Sequence, residues 1–327
     1  MKVSPFALGG TGSVPTLSAM LVTPTSAVSE LVRAGRIADA LAVLATGPEP
    51  SVAASTLAME CRLARGEIDL ALGLGEALAD AVEGADGARA AHALGELAAA
   101  TGRDDDAVGH FLRAGELATG DEDDPVELPW RAGAALSLIR LGRHDEAQQH
   151  AQAHRVLAAR QRSAYALAGA LRTIAAVGAG GRREDLLREA RTLLGDGHAR
   201  LAATIDTDLA GLLALMGGAV GRQEAVVLLR SAEVYADIED LWPLHGRVRR
   251  LLERLGEQPA TLRCEAIARL TDLEHHLSRL AGTGSSNRQI AEQEGLTVKA
   301  VEWHLSRAYR KLGIRSRREL PRSLKLV

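Results

Sequence analysis

Residues 271–319 read TDLEHHLSRLAGTGSSNRQIAEQEGLTVKAVEWHLSRAYRKLGIRSRRE, and this stretch carries several closely spaced helix-start signals. A Ser or Thr is followed three positions later by Glu or Gln at Thr271 and Glu274, Ser286 and Gln289, and Ser316 and Glu319. In such a capping box, the hydroxyl and the Glu or Gln side chain each accept a hydrogen bond from the other residue's backbone N–H. Thr297 predicts a fourth start, and Gly295 and Gly313 stand where helices commonly end in a left-handed residue. The stretch therefore predicts four short helices in a helix-turn-helix arrangement.

The two central helices are predicted at residues 287–294 and 298–312, with the turn Gly295-Leu296-Thr297 between them. In the longer helix, apolar residues step by three and four along one face: Val298, Val301, Leu305, Ala308 and Leu312. The opposite face carries Lys299, Glu302, Trp303, Ser306 and Arg310, with Arg307 beside them. Such a helix packs on a small core and fits the major groove of B-DNA. A solvated charged face is the plainer interpretation, but solvation explains an exposed Trp303 poorly.

Residues 270–320 resemble the LuxR-type helix-turn-helix, also called the FixJ/NarL type. The resemblance lies in Leu270-Thr271-x-x-Glu274, Gly284-x-Ser286-Asn287-x-x-Ile290-Ala291, Val301-x-x-His304-Leu305 and Arg310-Lys311-Leu312-Gly313-Ile314-x-Ser316-Arg317, without insertion. It implies a four-helix domain that binds double-stranded DNA, usually as a homodimer on inverted repeats. The residues predicted to contact DNA are Ser286, Asn287, Arg288, Thr297, Lys299, Glu302, Trp303, Ser306, Arg307, Arg310 and Lys311.

Three residues depart from the family pattern. Glu302 stands where many members have a phosphate-binding lysine, and Ala300 replaces the usual threonine and its hydroxyl. Pro321 falls at the fifth position of the last helix, where its missing N–H is expected to weaken or end that helix. Because this helix often forms the dimer contact in the family, we expect the main dimer contact to come from elsewhere in the chain.

The charge is divided unevenly along the chain. From Leu270 to Val327 there are 11 Lys and Arg against 6 Asp and Glu, whereas residues 1–269 hold the other 28 against 36. A basic domain attracts the phosphates of nucleic acid, while the acidic remainder repels them. The same asymmetry leaves open an autoinhibited state in which the basic tail lies on the acidic body.

The acidic part of the chain has the composition and spacing of a helical repeat. Aromatic residues are only 2% of the chain, and Ala and Leu supply most of its apolar content, which favours packed helices over a sheet. Glycine recurs at Gly35, Gly66, Gly102, Gly142, Gly181 and Gly221. Most are followed by an acidic residue and then Ala or Leu: Asp39-Ala40, Asp69-Leu70, Asp106-Ala107, Glu146-Ala147 and Glu224-Ala225. We predict helical hairpins with the glycine in the turn, stacked into a right-handed superhelix.

This repeat resembles tetratricopeptide repeats, although its later spacing exceeds the usual length. The segment 225–256, directly before the helix-turn-helix, looks like the last repeat of the large ATP-binding (MalT-like) regulators of the LuxR family. Those relatives carry an ATPase module upstream. Here no G-x-x-x-x-G-K-[ST] occurs, and the cluster Gly9-Gly10-Thr11-Gly12-Ser13 lacks the lysine that would hold the phosphates. We therefore expect no nucleotide cofactor and no catalytic activity.

Other candidate sites are weak. Cys61 and Cys264 lie far apart without a CxxC motif, which suits packed thiols in a reducing cytoplasm. His150 and His154 are four residues apart, but a hydrated helix face explains them better than a metal site does. The acidic runs Asp104–Asp106 and Asp121–Asp124 are explained by a helix start and a loop. The chain has no apolar run long enough to span a membrane, and we expect no signal peptide.

These observations predict an all-α regulator in three parts: a flexible leader at residues 1–26, a repeat body at 27–262 and a DNA-binding domain at 268–325. The concave wall of the superhelix is expected to bind a regulatory peptide, protein or small molecule. The Leu-rich stretch Leu209–Met216 is either a dimer contact or a buried helix. The alternative function is an interaction scaffold whose helix-turn-helix serves for docking and no longer reads DNA.

Overall fold

The computed structural model describes residues 24–47, 51–81, 83–120, 123–178, 180–260, 266–267 and 270–324. Within these ranges all regular structure is helical, so the predicted all-α fold is confirmed. No described helix combines the length and the apolar character needed to cross a membrane. The glycine cluster at 9–13 and Cys264 lie outside the described residues. The first helix begins at Pro24, which is inside the predicted leader.

The helices of the repeat body follow one another as packed hairpins. They are α1 (Pro24–Ala34), α2 (Ile37–Thr46), α3 (Val52–Arg65), α4 (Ile68–Leu78), α5 (Gly84–Ala100), α6 (Asp104–Leu117), α7 (Trp130–Arg140), α8 (His144–Gln161), α9 (Ala164–Gly178), α10 (Arg183–Leu194), α11 (Ala199–Met216), α12 (Gly218–Ile238) and α13 (Trp242–Arg254). The two helices of each pair pack against each other, and α13 packs on both α11 and α12.

Left-handed glycines close the first four hairpins, as their spacing predicts. Their φ angles are 84° at Gly35, 72° at Gly66, 75° at Gly102 and 76° at Gly142. In the fifth hairpin Gly181 lies in the turn, as predicted, next to the positive-φ Gly180. The sixth hairpin corrects the prediction, because its left-handed residue is Gly218 in place of Gly221. Helix α11 ends at Met216, so the glycines directly after it make the turn, and Gly221 is buried inside α12. A Cβ would strain this backbone conformation, which is why glycine recurs.

Alanines let the paired helices approach closely. The alanines at the helix contacts are fully buried: Ala40, Ala71, Ala107, Ala147 and Ala225. In the second hairpin Asp69 is followed by Leu70, which is 54% exposed, and the neighbouring Ala71 is the buried residue. Small residues therefore make the contact in each of these hairpins, and few large side chains are needed to fill the core.

The repeat body closes on itself through contacts between its first two hairpins and its last one. The guanidinium of Arg65 on α3 lies 2.8 Å from the carboxylate of Asp240, which follows α12. The Tyr235 hydroxyl on α12 donates a 2.7 Å hydrogen bond to the carbonyl oxygen of Gly35 in the first turn. A Cβ on Gly35 would lie 2.6 Å from that hydroxyl oxygen, so this turn tolerates glycine alone. The helical repeats were predicted, but these contacts between the two ends of the body were not, and they make the body a closed ring of helices.

Polar contacts also join the first helices of distant hairpins. Arg200 on α11 forms an ion pair with Glu60 on α3. The His198 ring, just before α11, lies 3.1 Å from the carbonyl oxygen of Arg33 on α1 and stacks on Tyr165 of α9 with 4.9 Å between ring centroids. These contacts join α1, α3, α9 and α11 across the repeat body.

The C-terminal helices have a core of their own. They are α14 (Asp272–Gly282), α15 (Asn287–Glu294), α16 (Val298–Leu312), a 3-10 turn (Arg317–Glu319) and α17 (Leu320–Ser323). Their shared core includes Leu277, Ile290, Val301, Leu305 and Leu320. The bounds of α15 and α16 agree with the predicted helices at 287–294 and 298–312.

Candidate nucleic-acid interface

Two of the three predicted capping boxes form, and they define where α14 and α15 begin. The Ser286 hydroxyl accepts a 3.3 Å hydrogen bond from the Gln289 N–H, and the Gln289 side chain accepts a 2.8 Å bond from the Ser286 N–H. Thr271 and Glu274 make the same reciprocal pair. The Thr297 hydroxyl caps α16 by accepting a 3.2 Å bond from the Ala300 N–H. These caps orient the start of α16 and the short turn before it.

The third predicted capping box was wrong. The Ser316 hydroxyl donates a 2.8 Å hydrogen bond to the Glu319 carboxylate, but it accepts no hydrogen bond from the backbone N–H of Glu319. The last helix is accordingly divided into a 3-10 turn and the short α17. Pro321 lies in the first turn of α17, where its missing N–H removes no helical hydrogen bond, so α17 continues past it to Ser323.

Helix α16 buries a narrower stripe than predicted. Val301, Leu305 and Ala308 are buried, and Leu312 is half-buried against the same core. Val298 was wrongly included in the stripe, since it is 40% exposed. It is the first residue of the helix and extends beyond the core that the next two turns cover.

The opposite face of α16 is open to solvent. Its exposed residues are Lys299, Glu302, Trp303, Ser306 and Arg310. Trp303 is 55% exposed, and its ring contacts His304 edge-on at 4.8 Å between centroids. The Arg307 guanidinium lies over the Trp303 ring at 4.6 Å from the centroid. This cation–π contact favours one orientation of the Trp303 ring in the middle of the exposed face.

A buried carboxylate anchors the two cations at the edge of this face. Glu274 is almost fully buried, and its carboxylate accepts hydrogen bonds from Arg307 at 3.2 Å, from Lys311 and from the Thr271 N–H at 2.9 Å. Burial raises the pKa of Glu274, but the bonds from Lys311 and Thr271 outweigh it and lower the pKa to about 2. Glu274 was predicted only as a capping residue, because the ion pairs span 33 and 37 residues of sequence.

Asn287 is also engaged inside the domain. Its carbonyl oxygen accepts a 2.8 Å hydrogen bond from Arg317, which also donates to the carbonyl oxygens of Ala281, at 3.0 Å, and Ser285. Arg317 thus ties the 3-10 turn to the loop before α15. Arg317 was not among the residues predicted to contact DNA, although it belongs to one of the motifs that carry the family resemblance. The neighbouring Arg288 is exposed and has no carboxylate partner within the described residues.

The minor candidates of the body have structural explanations. His154 was wrongly assigned to a hydrated face, since it is 2% exposed, and burial lowers its pKa to about 4. Asp123, in the second acidic run, accepts hydrogen bonds from Trp130 at 3.1 Å and from Arg131. Cys61 is buried, as predicted, and burial raises the pKa of its thiol to about 12.

Comparison with known proteins agrees with this geometry. Residues 268–324 match the GerE family model, described as bacterial regulatory proteins of the luxR family. No curated protein matches the chain. The matched range holds α14 to α17, together with the capped turn and the exposed face of α16. Residues 268–324 therefore form a helix-turn-helix domain of the luxR family, which indicates a DNA-binding transcription regulator.

Proposed function

We propose that this protein is a sequence-specific transcription regulator that inserts α16 into the major groove of its operator. The observation that carries the proposal is the exposed polar face of α16, with Trp303 at its middle and a capped turn at its start. Residues near the N-terminus of such a recognition helix meet base edges, while the flanking cations meet phosphates. The repeat body serves as the regulatory part, and the protein acts in the cytoplasm without catalysis.

The residues of the interface divide by role. Lys299 and Arg310 are exposed and have no carboxylate partner within the described residues, so we assign them to phosphates. Trp303, Glu302 and Ser306 face the bases. We assign phosphate contacts along the groove to the remaining predicted residues: Ser286, Asn287, Arg288, Thr297, Arg307 and Lys311. For Arg307 and Lys311 the Glu274 carboxylate neutralises part of the charge, and we expect their individual contributions to affinity to be smaller than that of Lys299.

The active form on DNA is proposed to be a homodimer joined by the repeat body. One small module buries too little surface for tight specific binding, which needs on the order of 1,000–2,500 Å² of protein surface. The exposed side chains of Met216 (77%) and Val220 (83%) form a small apolar patch at the turn between α11 and α12. The other half of the Leu-rich stretch, with Leu209 and Leu213, is buried. The patch is therefore limited to the end of α11 and the start of α12.

Titration of the full chain against labelled genomic fragments at two salt concentrations tests DNA binding. We expect a subset of fragments to bind with an affinity at least a thousandfold above that for bulk DNA, falling steeply as salt rises. The alternative is a docking module, which is kept open by Glu302, because an acidic residue on this face repels phosphate. Equal and weak binding to all fragments, with the protein folded, would favour that alternative and contradict the proposed function.

A further inference from the structure

We propose that the repeat body contains a binding site for a small molecule with an anionic head, phosphate or carboxylate, and an apolar portion. The site is a cavity of about 600 Å³ lined by α9, α10, α11 and α13. This volume lies in the range typical of small-molecule sites. The regulatory role of this ligand rests on the proposed function. The cavity adds to that function the chemical class of the effector.

The cavity is strongly cationic within an acidic part of the chain. Its lining contains Arg172, Arg183, Arg247, Arg250 and Arg254, against Asp208 as its acidic residue. Residues 1–269 as a whole hold 28 Lys and Arg against 36 Asp and Glu, so five arginines around one cavity are not explained by overall composition. Like charges gathered this closely repel one another, and a bound anion relieves the repulsion.

Asp208 orients two of these arginines and leaves the others available. Its carboxylate lies 2.7 Å from Nε of Arg172 and 2.6 Å from the guanidinium of Arg247. Arg183, Arg250 and Arg254 are exposed and have no carboxylate partner within the described residues. Guanidinium groups bind phosphate and carboxylate through paired N–H donors, so this arrangement suits a head group with two or more negative oxygens.

The rest of the lining is apolar. Ala175, Leu187, Leu212 and Leu251 face the same cavity as the arginines. A free inorganic anion or the backbone of duplex DNA has no group to fill such walls, whereas an amphiphilic small molecule places its head among the arginines and its apolar part against the leucines. The mixed lining therefore selects a small amphiphilic anion.

The position of the cavity links it to the DNA-binding domain. Helix α13 contributes three arginines and ends at Arg254, and α14 of the DNA-binding domain begins at Asp272. A ligand held between α13 and Arg183 of α10 fixes the last helix of the body against its neighbours. The ligand therefore acts on the segment that leads into the DNA-binding domain.

Calorimetric titration of the full chain tests the site without DNA. The probes are hexyl phosphate, inorganic pyrophosphate, hexanoate and hexanol. We compare the natural chain with Arg250→Gln/Arg254→Gln, with the cavity-filling Gly211→Leu, and with Arg160→Gln/Arg222→Gln as a control. Both control arginines are exposed and lie outside the cavity lining. A Cβ on Gly211 meets only Leu251, at 3.9 Å, so this substitution extends into the cavity without a backbone clash.

We expect hexyl phosphate or hexanoate to bind saturably and hexanol not to bind. Whichever of the two binds more tightly shows whether the effector carries a phosphate or a carboxylate. Both cavity variants should weaken this binding at least tenfold, and the control should leave it unchanged. The proposal fails if neither hexyl phosphate nor hexanoate binds at about 10 mM, far above a millimolar dissociation constant, if inorganic pyrophosphate binds as tightly as they do, or if the control weakens binding equally. It also fails if Arg250→Gln/Arg254→Gln lowers the DNA affinity of the ligand-free chain, because those arginines would then contact DNA. Failure of the proposed function would appear in the DNA titration alone.

Discussion

In the helix-turn-helix domain the helix boundaries depend on contacts three or four residues apart, whereas the repeat body closes through contacts 140 to 201 residues apart. Ser286 and Thr297 define where α15 and α16 begin almost independently of the rest of the chain. The ring of the body, in contrast, requires the first hairpin to meet α11 and α12 after six hairpins have stacked. We therefore expect single substitutions at the closure to cost the body far more than a lost cap costs the domain.

The largest effect is expected from Gly35→Ala. The new Cβ would lie 2.6 Å from the Tyr235 hydroxyl oxygen and 2.7 Å from the Arg200 backbone nitrogen, at a φ of +84°. Gly102→Ala is the matched control, since its φ is +75° and no heavy atom lies within 4 Å of the added Cβ. The control should lower the free energy of unfolding by about 1–2 kcal/mol and Gly35→Ala by about 3–5 kcal/mol. Urea unfolding measures both, and equal losses would contradict the close contact at the ring closure.

Acid should weaken the body before it weakens the DNA-binding domain. Burial lowers the pKa of His154 from 6.5 to about 4. As the pH falls, the unfolded chain therefore takes up a proton at His154 before the folded chain does, and this protonation favours unfolding. The contribution of the neutral ring to the free energy of unfolding is complete above about pH 6.5 and is lost as the pH falls towards 4. The loss is about 2 kcal/mol at pH 5. His154→Gln should flatten the fall in stability of the body between pH 6.5 and 4, followed by urea unfolding. An unchanged slope, equal to that of the exposed control His144→Gln, would contradict the buried neutral ring.

Glu274→Gln should weaken the DNA-binding domain by about 1–2 kcal/mol at pH 7, because the hydrogen bonds from Arg307 and Lys311 lose their charged acceptor. The folded pKa of Glu274, about 2, is below the ordinary 4.5. Its contribution is therefore present above about pH 4.5 and is lost as the pH falls towards 2. Thermal unfolding of the domain at pH 7 and pH 3 measures the difference. The exposed Glu292→Gln serves as control, and a variant as stable as this control at pH 7 would refute the anchor.

The smallest effect is expected from Thr297→Ala, which removes the cap of α16. Loss of the hydrogen bond to the Ala300 N–H should cost about 1 kcal/mol and leave the body unaffected. Ser306→Ala, in the middle of the same helix, is the control and should stay within about 0.5 kcal/mol of the natural chain. A loss of body stability with Thr297→Ala would show that the two regions do not fold independently.

The same contrast explains which features could be predicted from the sequence. Caps and glycine stops act within one helical turn, so the bounds of α15 and α16 could be predicted, and so could the exposure of Trp303. The Glu274 ion pairs, the Arg317 bridge and the burial of His154 depend on partners that no periodic pattern connects. Val298 shows the limit of the pattern itself, because a residue at the end of an apolar stripe can extend past the core. The closed ring was missed because repeat spacing predicts stacking but not where the stack ends.

One affinity measurement tests most directly whether the exposed face of α16 is the surface that reads DNA. The triple variant Lys299→Ala/Trp303→Ala/Arg310→Ala changes only exposed side chains, so it should remain folded by circular dichroism. Its affinity for a fragment selected by the natural chain is measured by fluorescence anisotropy at fixed salt. We predict a loss of at least a hundredfold, together with a salt slope lower by about two units for the two lost phosphate contacts. Normal affinity of the folded variant for that fragment would contradict the account.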